Sequence, residues 1–173
     1  IEEAMKVTSY GSLLKVCRDL LHEKIPIIDM LTIIEAVADI AEFTKAPEVL
    51  LEHVRAKLYR LITQKFKDTD GVLHIITIKP ELEQQFIGKI QEHHGVSQLM
   101  LSIAEINNLV TKTKKLLDSI EVKGFSKITM VVDPILRKRI SEIYEKFGLQ
   151  VSVLSHAELD SKANFAIEGT LEF

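Results

Sequence analysis

Residues 23–42, EKIPIIDMLTIIEAVADIAE, set the helical organisation of the first part of the chain. Apolar residues recur there at near-helical spacing, yet Pro26 and Asp29 interrupt the most apolar part. The residue before a proline is pushed out of the α region, so a preceding helix should end before Pro26. Asp29 is suited to cap the next helix, because its carboxylate can accept free backbone N–H groups and complement the helix dipole. The stretch therefore predicts a corner between two helices.

The apolar pattern continues on both sides of this corner. We expect an upstream helix with an inward face of Leu13, Leu14, Cys17, Leu20 and Leu21, and a downstream stripe of Met30, Ile33, Ile34, Val37 and Ala41. Pro47 fits the first position of a third helix. Its predicted buried face consists of Leu50, Val54, Leu58, Leu61 and Ile62, with Arg55 turned elsewhere. The turn KDTDG should end this helical region.

From residue 72 onward the apolar pattern changes to short segments rich in β-branched residues. These segments predict about four strands: VLHIITI (72–78), KITMVVD (127–133), QVSVLS (150–155) and FAIEGTLEF (165–173). Between them we expect a helix over residues 80–94, one capped by Ser102 and Glu105, and one running from Pro134 to Gly148. The predicted fold is mixed α+β, with a helical subdomain at residues 1–70 and a small α/β subdomain at residues 71–173.

Composition narrows the functional class. The 173 residues are 46% hydrophobic and carry a formal net charge of −3, which gives no general electrostatic reason to bind nucleic acid. The single cysteine, Cys17, cannot form an intrachain disulfide and is expected to be an inert packed thiol. No apolar run is long enough to cross a bilayer. Because the chain opens with IEEAMKV, we expect it to be a piece of a longer protein.

Motifs for catalysis or metal binding are weak throughout. DTDGVLHIITIK begins like a calcium loop, but Lys79 stands where a bidentate glutamate is needed. The histidines show no metal-binding spacing, and we expect Asp68 and Asp70 to be solvated. The basic clusters KTKK (112–115) and RKR (137–139) lack interleaved aromatic residues, which favours solvated helix faces. We therefore predict a non-catalytic protein with no cofactor, no metal and no nucleic-acid partner.

Two segments carry a family resemblance. LLKVCRDLLHEKIPIIDMLTIIEAVADIA (13–41) and LLEHVRAKLYRLI (50–62) resemble the cytosolic C-terminal region of the export-gate family of flagellar FlhA and its InvA-like (SctV) relatives. The family pattern L-x-x-L-L-x-E-x-V-x-I-R-D-[LM]-x-T-I-L-E is matched at Leu20, Leu21, Glu23, Ile25, Ile27, Asp29, Met30, Thr32, Ile33, Ile34 and Glu35. Ile28 departs from it, since the family usually has arginine there. Looser similarities continue through VVDPILRKRI and VSVLSHAEL to IEGTLEF.

This resemblance implies a place in bacterial type III protein export. Family members have an N-terminal membrane part, absent from this sequence, and a cytosolic part that forms a nine-membered ring at the cytoplasmic face of the inner membrane. The implied partners are export chaperones, secreted substrates and other export-apparatus proteins. In the family the helical subdomain is the usual ring contact, so Asp29, Glu35 and Arg55 are candidates for intersubunit or structural polar contacts. The resemblance leaves open whether the system is flagellar or serves virulence.

One alternative comes from the α/β half of the chain. A small α/β enzyme or nucleotide-binding domain could assemble its site from distant residues. The turns after Ile78, Val132 and Leu154 would then form its rim, because ligands favour the carboxyl ends of strands. The lack of a glycine-rich phosphate loop counts against this alternative.

Overall fold

The computed structural model describes residues 2, 10–94 and 96–173. The chain divides into two compact units, Ile1–Ile62 and Thr63–Phe173, which we call the helical unit and the sheet unit. Each unit buries its own set of apolar side chains. The division lies inside a helix, somewhat before the boundary after residue 70 that the sequence suggested.

The helical unit contains the predicted corner. Its helices are α1 (Tyr10–His22), α2 (Met30–Ala41), α3 (Pro47–Lys57) and the start of α4 (Tyr59–Phe66). Lys24 adopts a positive φ of 63°, and the Ile25 N–H donates to the Leu20 carbonyl at 2.8 Å, which closes α1 ahead of Pro26. Ile25 is fully buried in the segment between α1 and α2. The corner is therefore confirmed, with Asp29 as the N-cap of α2.

Two details of the helical unit differ from expectation. Leu14 and Leu21 were predicted to face inward but are 51% and 54% exposed, because the buried side of α1 is centred on Val16, Cys17 and Leu20. The helix that begins at Pro47 is interrupted at Leu58, whose N–H is shared between the carbonyls of Val54 and Arg55. This tightened turn separates α3 from α4.

The sheet unit is built on a four-stranded parallel sheet with the order β5-β4-β1-β6. The strands of the unit are β1 (Val72–Ile78), β2 (Ile90–His93), β3 (Val96–Leu99), β4 (Thr129–Val132), β5 (Ser152–Ser155) and β6 (Asn164–Leu171). The helices after Phe66 are α5 (Pro80–Ile87), α6 (Ile103–Glu121), α7 (Pro134–Lys146) and a 3-10 turn, His156–Glu158. The four predicted strands and the Ser102–Glu105 capping box are confirmed.

The single helix expected over residues 80–94 is wrong in its second half. α5 ends at Ile87 with Gly88 as its C-cap, and the next residues form β2, which pairs antiparallel with β3. Pairing with a partner strand satisfies the backbone of residues 90–93, and no local helical pattern could reveal that partner. His93 consequently lies in a strand and not at a helix C-terminus.

One face of the parallel sheet carries the core of this unit. Its cluster unites apolar residues from the strands and from α5, α6 and α7: Ile78, Leu82, Phe86, Leu109, Met130, Val132, Leu136, Ile140, Tyr144, Val153 and Leu171. The β1–β6 register shifts between Ile75 and Ile76, so that Glu168 is an extra, bulged residue of β6. No helix within the described residues is long and apolar enough to span a bilayer.

Candidate functional site

Asp29 acts as a helix cap. One carboxylate oxygen accepts the Thr32 N–H at 3.2 Å, and the other accepts the Thr32 hydroxyl at 2.7 Å. Both bonds hold the first turn of α2 and satisfy donors that the helix itself leaves free. Asp29 is exposed, so the cap lies at the surface of the helical unit.

Glu35 lies on the exposed side of α2. It follows the 59% exposed Leu31 by four residues, which places both side chains on one helix face. Ile28, at the position where the family usually has arginine, is 80% exposed just before the helix. Glu35 thus lies on an exposed face of α2 between Leu31 and the exposed Asp39.

Arg55 is buried, contrary to the expectation that it turns away from the core. Its residue is only 1% exposed, and its Nη1 lies 3.4 Å from Oε2 of Glu23. A buried guanidinium needs a carboxylate partner, because desolvation of an unpaired charge is strongly unfavourable. The pair connects α3 to the residue that follows α1. Of the three candidate residues, one is therefore a cap, one lies on an exposed face and one is in a buried ion pair.

A stripe of large exposed side chains runs along α1. Tyr10, Leu14 and Leu21 are 78%, 51% and 54% exposed. At about 100° per residue their positions fall within roughly 40° of one another around the helix, and we call these three residues the α1 stripe, although Cys17 between Leu14 and Leu21 is buried. Grouped apolar exposure of this kind is typical of surfaces that contact other proteins. The sequence pattern indicated these residues as apolar but placed Leu14 and Leu21 in the core.

The sheet unit contains an ionisable cluster that the sequence reasoning missed. His74 is 4% exposed, its Nε2 lies 2.7 Å from Asp70 Oδ2, and its Nδ1 lies 2.8 Å from Glu168 Oε1. Lys123 Nζ binds the other Glu168 oxygen at 3.0 Å, and Phe125 stacks on the imidazole at 3.7 Å. These five residues form the His74 cluster. The bulge in β6 brings Glu168 into it, a feature that a sequence pattern does not indicate.

The charge state of this cluster follows from its geometry. An ionised carboxylate only accepts hydrogen bonds, so when Asp70 and Glu168 are both ionised both imidazole nitrogens donate, which requires the cationic form of His74. Burial lowers the pKa of His74, but the hydrogen bonds to Glu168 and Asp70 outweigh it and raise that pKa above its ordinary value. The bond from His74 in turn lowers the pKa of Glu168, aided by Lys123. Both ring nitrogens are occupied, which leaves the imidazole no free lone pair for proton transfer.

A second buried pair joins Arg137 to Glu158. Their side chains are 0% and 1% exposed, with Nε and Oε1 3.7 Å apart. The other Glu158 oxygen accepts the Ser155 N–H at 3.0 Å, and the Glu158 carbonyl accepts the Thr63 hydroxyl at 2.9 Å. The expectation that Arg137 belongs to a solvated basic face is wrong, because it neutralises a carboxylate that closes the turn after β5.

Asp68 is also buried, although the sequence suggested a solvated side chain. Its oxygens accept the backbone N–H groups of Thr69 at 2.7 Å and Ser126 at 2.9 Å, and the Ser126 hydroxyl donates to it as well. These hydrogen bonds, the Ser126 hydroxyl foremost, hold the pKa of Asp68 well below its usual range. Asp68 is thus a fixed anion that ties the start of β1 to the segment before β4.

The carboxyl ends of the parallel strands were the rim expected for a nucleotide site. There the Asp133 N–H donates to Glu83 at 3.0 Å, and Asp133 itself accepts the Ile135 N–H at 2.9 Å. Together with Glu158, these carboxylates take up backbone N–H groups that would otherwise be available to a phosphate. Glu83 and Asp133 also add negative charge at this edge, which disfavours an anionic ligand.

Cys17 is buried, and burial raises the pKa of its thiol, as expected of an inert packed cysteine. Within residues 10–94 and 96–173, no three or more His, Cys, Asp or Glu side chains are arranged to hold a metal ion.

Comparison with known proteins places the chain in one family. The FHIPEP family matches residues 1–164. The flagellar biosynthesis protein FlhA of Helicobacter pylori is 39% identical over 172 residues, which is 99% of this chain and 23% of that protein. The chain therefore spans about a quarter of the length of this relative.

Solved structures with the same fold come from type III secretion. The cryo-EM structure of nonameric EPEC SctV-C matches with a TM-score of 0.87 at 19% identity, covering 98% of this chain and 51% of that one. The Chlamydia pneumoniae CdsV and CdsO complex matches with a TM-score of 0.85 at 20% identity, covering 99% and 50%. The chain thus belongs to the FHIPEP family, is similar to flagellar FlhA over nearly its whole length, and shares the fold of the SctV-type structures.

Proposed function

We propose that the chain is a non-catalytic module of a bacterial type III export gate, which forms a homo-oligomeric ring and helps to dock chaperone–substrate complexes for ordered export. In this proposal an upstream part of the parent protein anchors it in the inner membrane, with this region on the cytoplasmic side. The α1 stripe is the observation that carries the proposal, because a family of ring-forming proteins needs such a surface on each subunit.

The helical unit supplies the features of a subunit contact. The α1 stripe exposes three large side chains, and on a second helix, α2, Leu31 is exposed beside Glu35. An apolar patch edged by charge is typical of protein–protein contacts, in which the charge favours one register over others. We assign Glu35 to this contact, and leave Asp29 and Arg55 their roles within the subunit. The nonameric arrangement of EPEC SctV-C supports a ring of the same kind.

The sheet unit supports the non-catalytic part of the proposal. His74, Glu158 and Asp68 are buried groups that an enzyme could use, yet each is hydrogen-bonded by its own neighbours. A general base needs a free lone pair within reach of a substrate. These groups hold loops together and are not available to a substrate.

Flagellar export is the system that we favour. The 39% identity to an FlhA protein over nearly the whole chain exceeds the 19% and 20% identities to the two virulence-type structures. Contact with other export-apparatus proteins is supported by the structure of the Chlamydia pneumoniae CdsV and CdsO complex, in which a protein of this fold binds a second protein.

Site-specific cross-linking tests the ring contact in the full-length protein in its own membrane. A photo-crosslinking amino acid in place of Leu21 should give covalent dimers and larger oligomers of the protein. The matched control position is Val122 of the sheet unit, which is 88% exposed and lies outside the α1 stripe.

The expected result is strong self-cross-linking from position 21 and little from position 122. Adding Leu14→Asp should reduce the yield from position 21 at least about tenfold, because a charge would be desolvated in the contact. Cross-links that form from position 122 and not from position 21 would contradict the assignment of the contact to α1.

A further inference from the structure

The outer edge of the parallel sheet is open. Among the described strands, β6 pairs only with β1, so its outer row of backbone N–H and C=O groups has no strand partner. An open edge of eight residues can accept an extended segment of another protein as an additional strand. Phe165 and Ile167 of β6 are 39% and 66% exposed, which adds apolar surface beside this edge.

A groove lies beside the last residues of β6. It has a volume of about 270 Å³ and is lined by Lys112, Lys115, Leu116, Thr170, Leu171 and Glu172. Leu116 and Leu171 supply its apolar part, and Lys112 Nζ lies 5.5 Å from the centre of the Phe173 ring. The groove therefore runs between α6 and the open edge.

The charge of the groove is positive. Lys112 and Lys115 belong to the KTKK cluster, and no carboxylate of the described residues lies within 4.0 Å of either ammonium group. Glu172, the acidic residue of the lining, has its carboxylate 3.4 Å from Lys79 Nζ. Two lysines that have no acidic partner among the described residues and lie over an apolar floor are complementary to an acidic side chain.

We propose that the open edge of β6 and this groove bind an extended acidic segment of a partner protein, which adds to the sheet as a further strand. The register puts Leu171 opposite Ile78, on the core face of the sheet with α6, and Ile167 opposite Ile75, on the other face. Side chains of an added strand alternate between these faces. Acidic residues would therefore meet Lys112 and Lys115, and the intervening apolar residues would extend the surface of Phe165 and Ile167.

The proposal does not depend on ring formation, since all of its residues belong to one sheet unit. A suitable probe is a fluorescein-labelled peptide with capped ends, EVEVEVEV, whose eight residues match the length of β6 at about 3.3 Å per residue. Its affinity for the 173-residue chain is measured by fluorescence anisotropy at protein concentrations up to about 1 mM, a range that covers weak peptide-docking affinities. The peptide KVKVKVKV, which has the opposite charge, tests whether binding requires acidic residues.

Lysine variants of α6 distinguish binding in the groove from nonspecific attraction to the net charge of the protein. Lys112→Glu and Lys115→Glu should each weaken binding of the acidic peptide about tenfold or more. Lys114→Glu makes the same change of net charge on an exposed residue of the same helix that does not line the groove, so it should change the affinity less than about twofold. Circular dichroism checks that the three variants keep the fold.

Backbone pairing is tested by the peptide itself. Methylation of alternate backbone nitrogens along the edge-facing side removes the hydrogen bonds of an added strand and should weaken binding about tenfold. The proposal is overturned if the acidic peptide does not bind at 1 mM chain. It is equally overturned if all three lysine variants lose affinity alike, if the basic peptide binds as well, or if the methylated peptide keeps full affinity.

Discussion

Arg55 in the helical unit and Arg137 in the sheet unit are both buried arginines, but their partners differ in contact with water. The side chain of Glu23 remains 12% exposed beside Arg55, whereas that of Glu158 is 1% exposed beside Arg137. Water can therefore help to solvate one pair if it is broken and cannot reach the other. The difference teaches that breaking the ion pair should cost the sheet unit more free energy of unfolding than the helical unit.

Of the changes to alanine, Arg137→Ala should have the largest effect on stability. Arg137→Ala leaves the Glu158 carboxylate buried without its cation, and we expect a loss of about 3–5 kcal/mol in the free energy of unfolding. Urea denaturation followed by circular dichroism measures this change. Lys146→Ala, an exposed cation on the same helix, is the matched control and should change the stability by less than about 0.5 kcal/mol.

A double replacement tests whether the loss in Arg137→Ala comes from the unpaired charge. Arg137→Met with Glu158→Gln removes both charges and keeps similar volumes, so it should recover a large part of the stability lost in Arg137→Ala. A double variant no more stable than Arg137→Ala would show that packing of the arginine stem, and not its charge, is what matters.

Removing Arg55 should give a smaller loss. In Arg55→Ala the freed Glu23 carboxylate can rehydrate, so we expect about 2–3 kcal/mol, below the value for Arg137→Ala. The charge reversal Arg55→Glu should unfold the helical unit, because it places two carboxylates together in a buried setting. Equal losses of stability for Arg55→Ala and Arg137→Ala would contradict the conclusion that contact of Glu23 with water makes the loss smaller in the helical unit.

The His74 cluster gives the sheet unit a pH-dependent stability. The folded pKa of His74 is raised, so its contribution is complete below the unfolded pKa of about 6.5 and is lost as pH rises through the folded value. The folded pKa values of Asp70 and Glu168 are lowered, so their contributions are present above about pH 4 and are lost as pH falls.

His74→Gln should therefore be most destabilising between about pH 5 and 6.5, by about 1–2 kcal/mol, and the difference from wild type should shrink toward pH 9. Urea denaturation across this pH range measures the difference. His93→Gln, which changes an exposed histidine of β2, is the control for general effects of removing a histidine. A difference for His74→Gln that is constant with pH would mean that the imidazole is neutral in the fold.

The cap of α2 should matter less. Asp29→Ala removes the acceptor for Thr32 and should cost about 1 kcal/mol, whereas Asp29→Asn keeps a capping oxygen and should cost only a few tenths. Urea denaturation of both variants measures the difference. Equal losses for the two would show that the negative charge, and not the hydrogen bond, stabilises the helix start.

Glu35→Lys should have the smallest effect on stability, within about 0.5 kcal/mol, because the side chain is exposed. Its effect should appear in association, as a reduced yield of cross-linked oligomers in the full-length protein. A fall in thermal stability comparable to that of Asp29→Ala would contradict a surface role.

Much of the fold could be predicted from local signals. Pro26 and Asp29 defined the corner, Ser102 and Glu105 the capping box, and the β-branched runs all four parallel strands. These features depend on residues close together in the chain. The β2–β3 hairpin escaped prediction because pairing between strands overrides the local preference of residues 90–93 for a helix.

The polar interior was harder to predict. Asp70 and His74 are neighbours in sequence, but Glu168 reaches them only across the sheet and through a bulge. Arg137 and Glu158 likewise meet only after folding. A charged residue in a helix usually lies at the surface, so nothing in the sequence around Arg55 or Arg137 indicates that a distant carboxylate will bury it. The sequence pattern put Leu14 and Leu21 on the inward face of α1. The apolar residues of this helix cover a broad face, and the sequence does not show which side of that face stays exposed to solvent.

The order of the strands has a consequence for how the chain folds during synthesis. β1 is the first strand of the parallel sheet in sequence, and it lies in the middle of that sheet between β4 and β6, the last strand. Pairing of β1 with β6 joins residues more than ninety positions apart, such as Val72 and Asn164. Contacts at such separation form slowly. On the ribosome the helices before residue 63 can fold early, while β1 stays half-paired, and exposed to misassembly, until the final strand emerges.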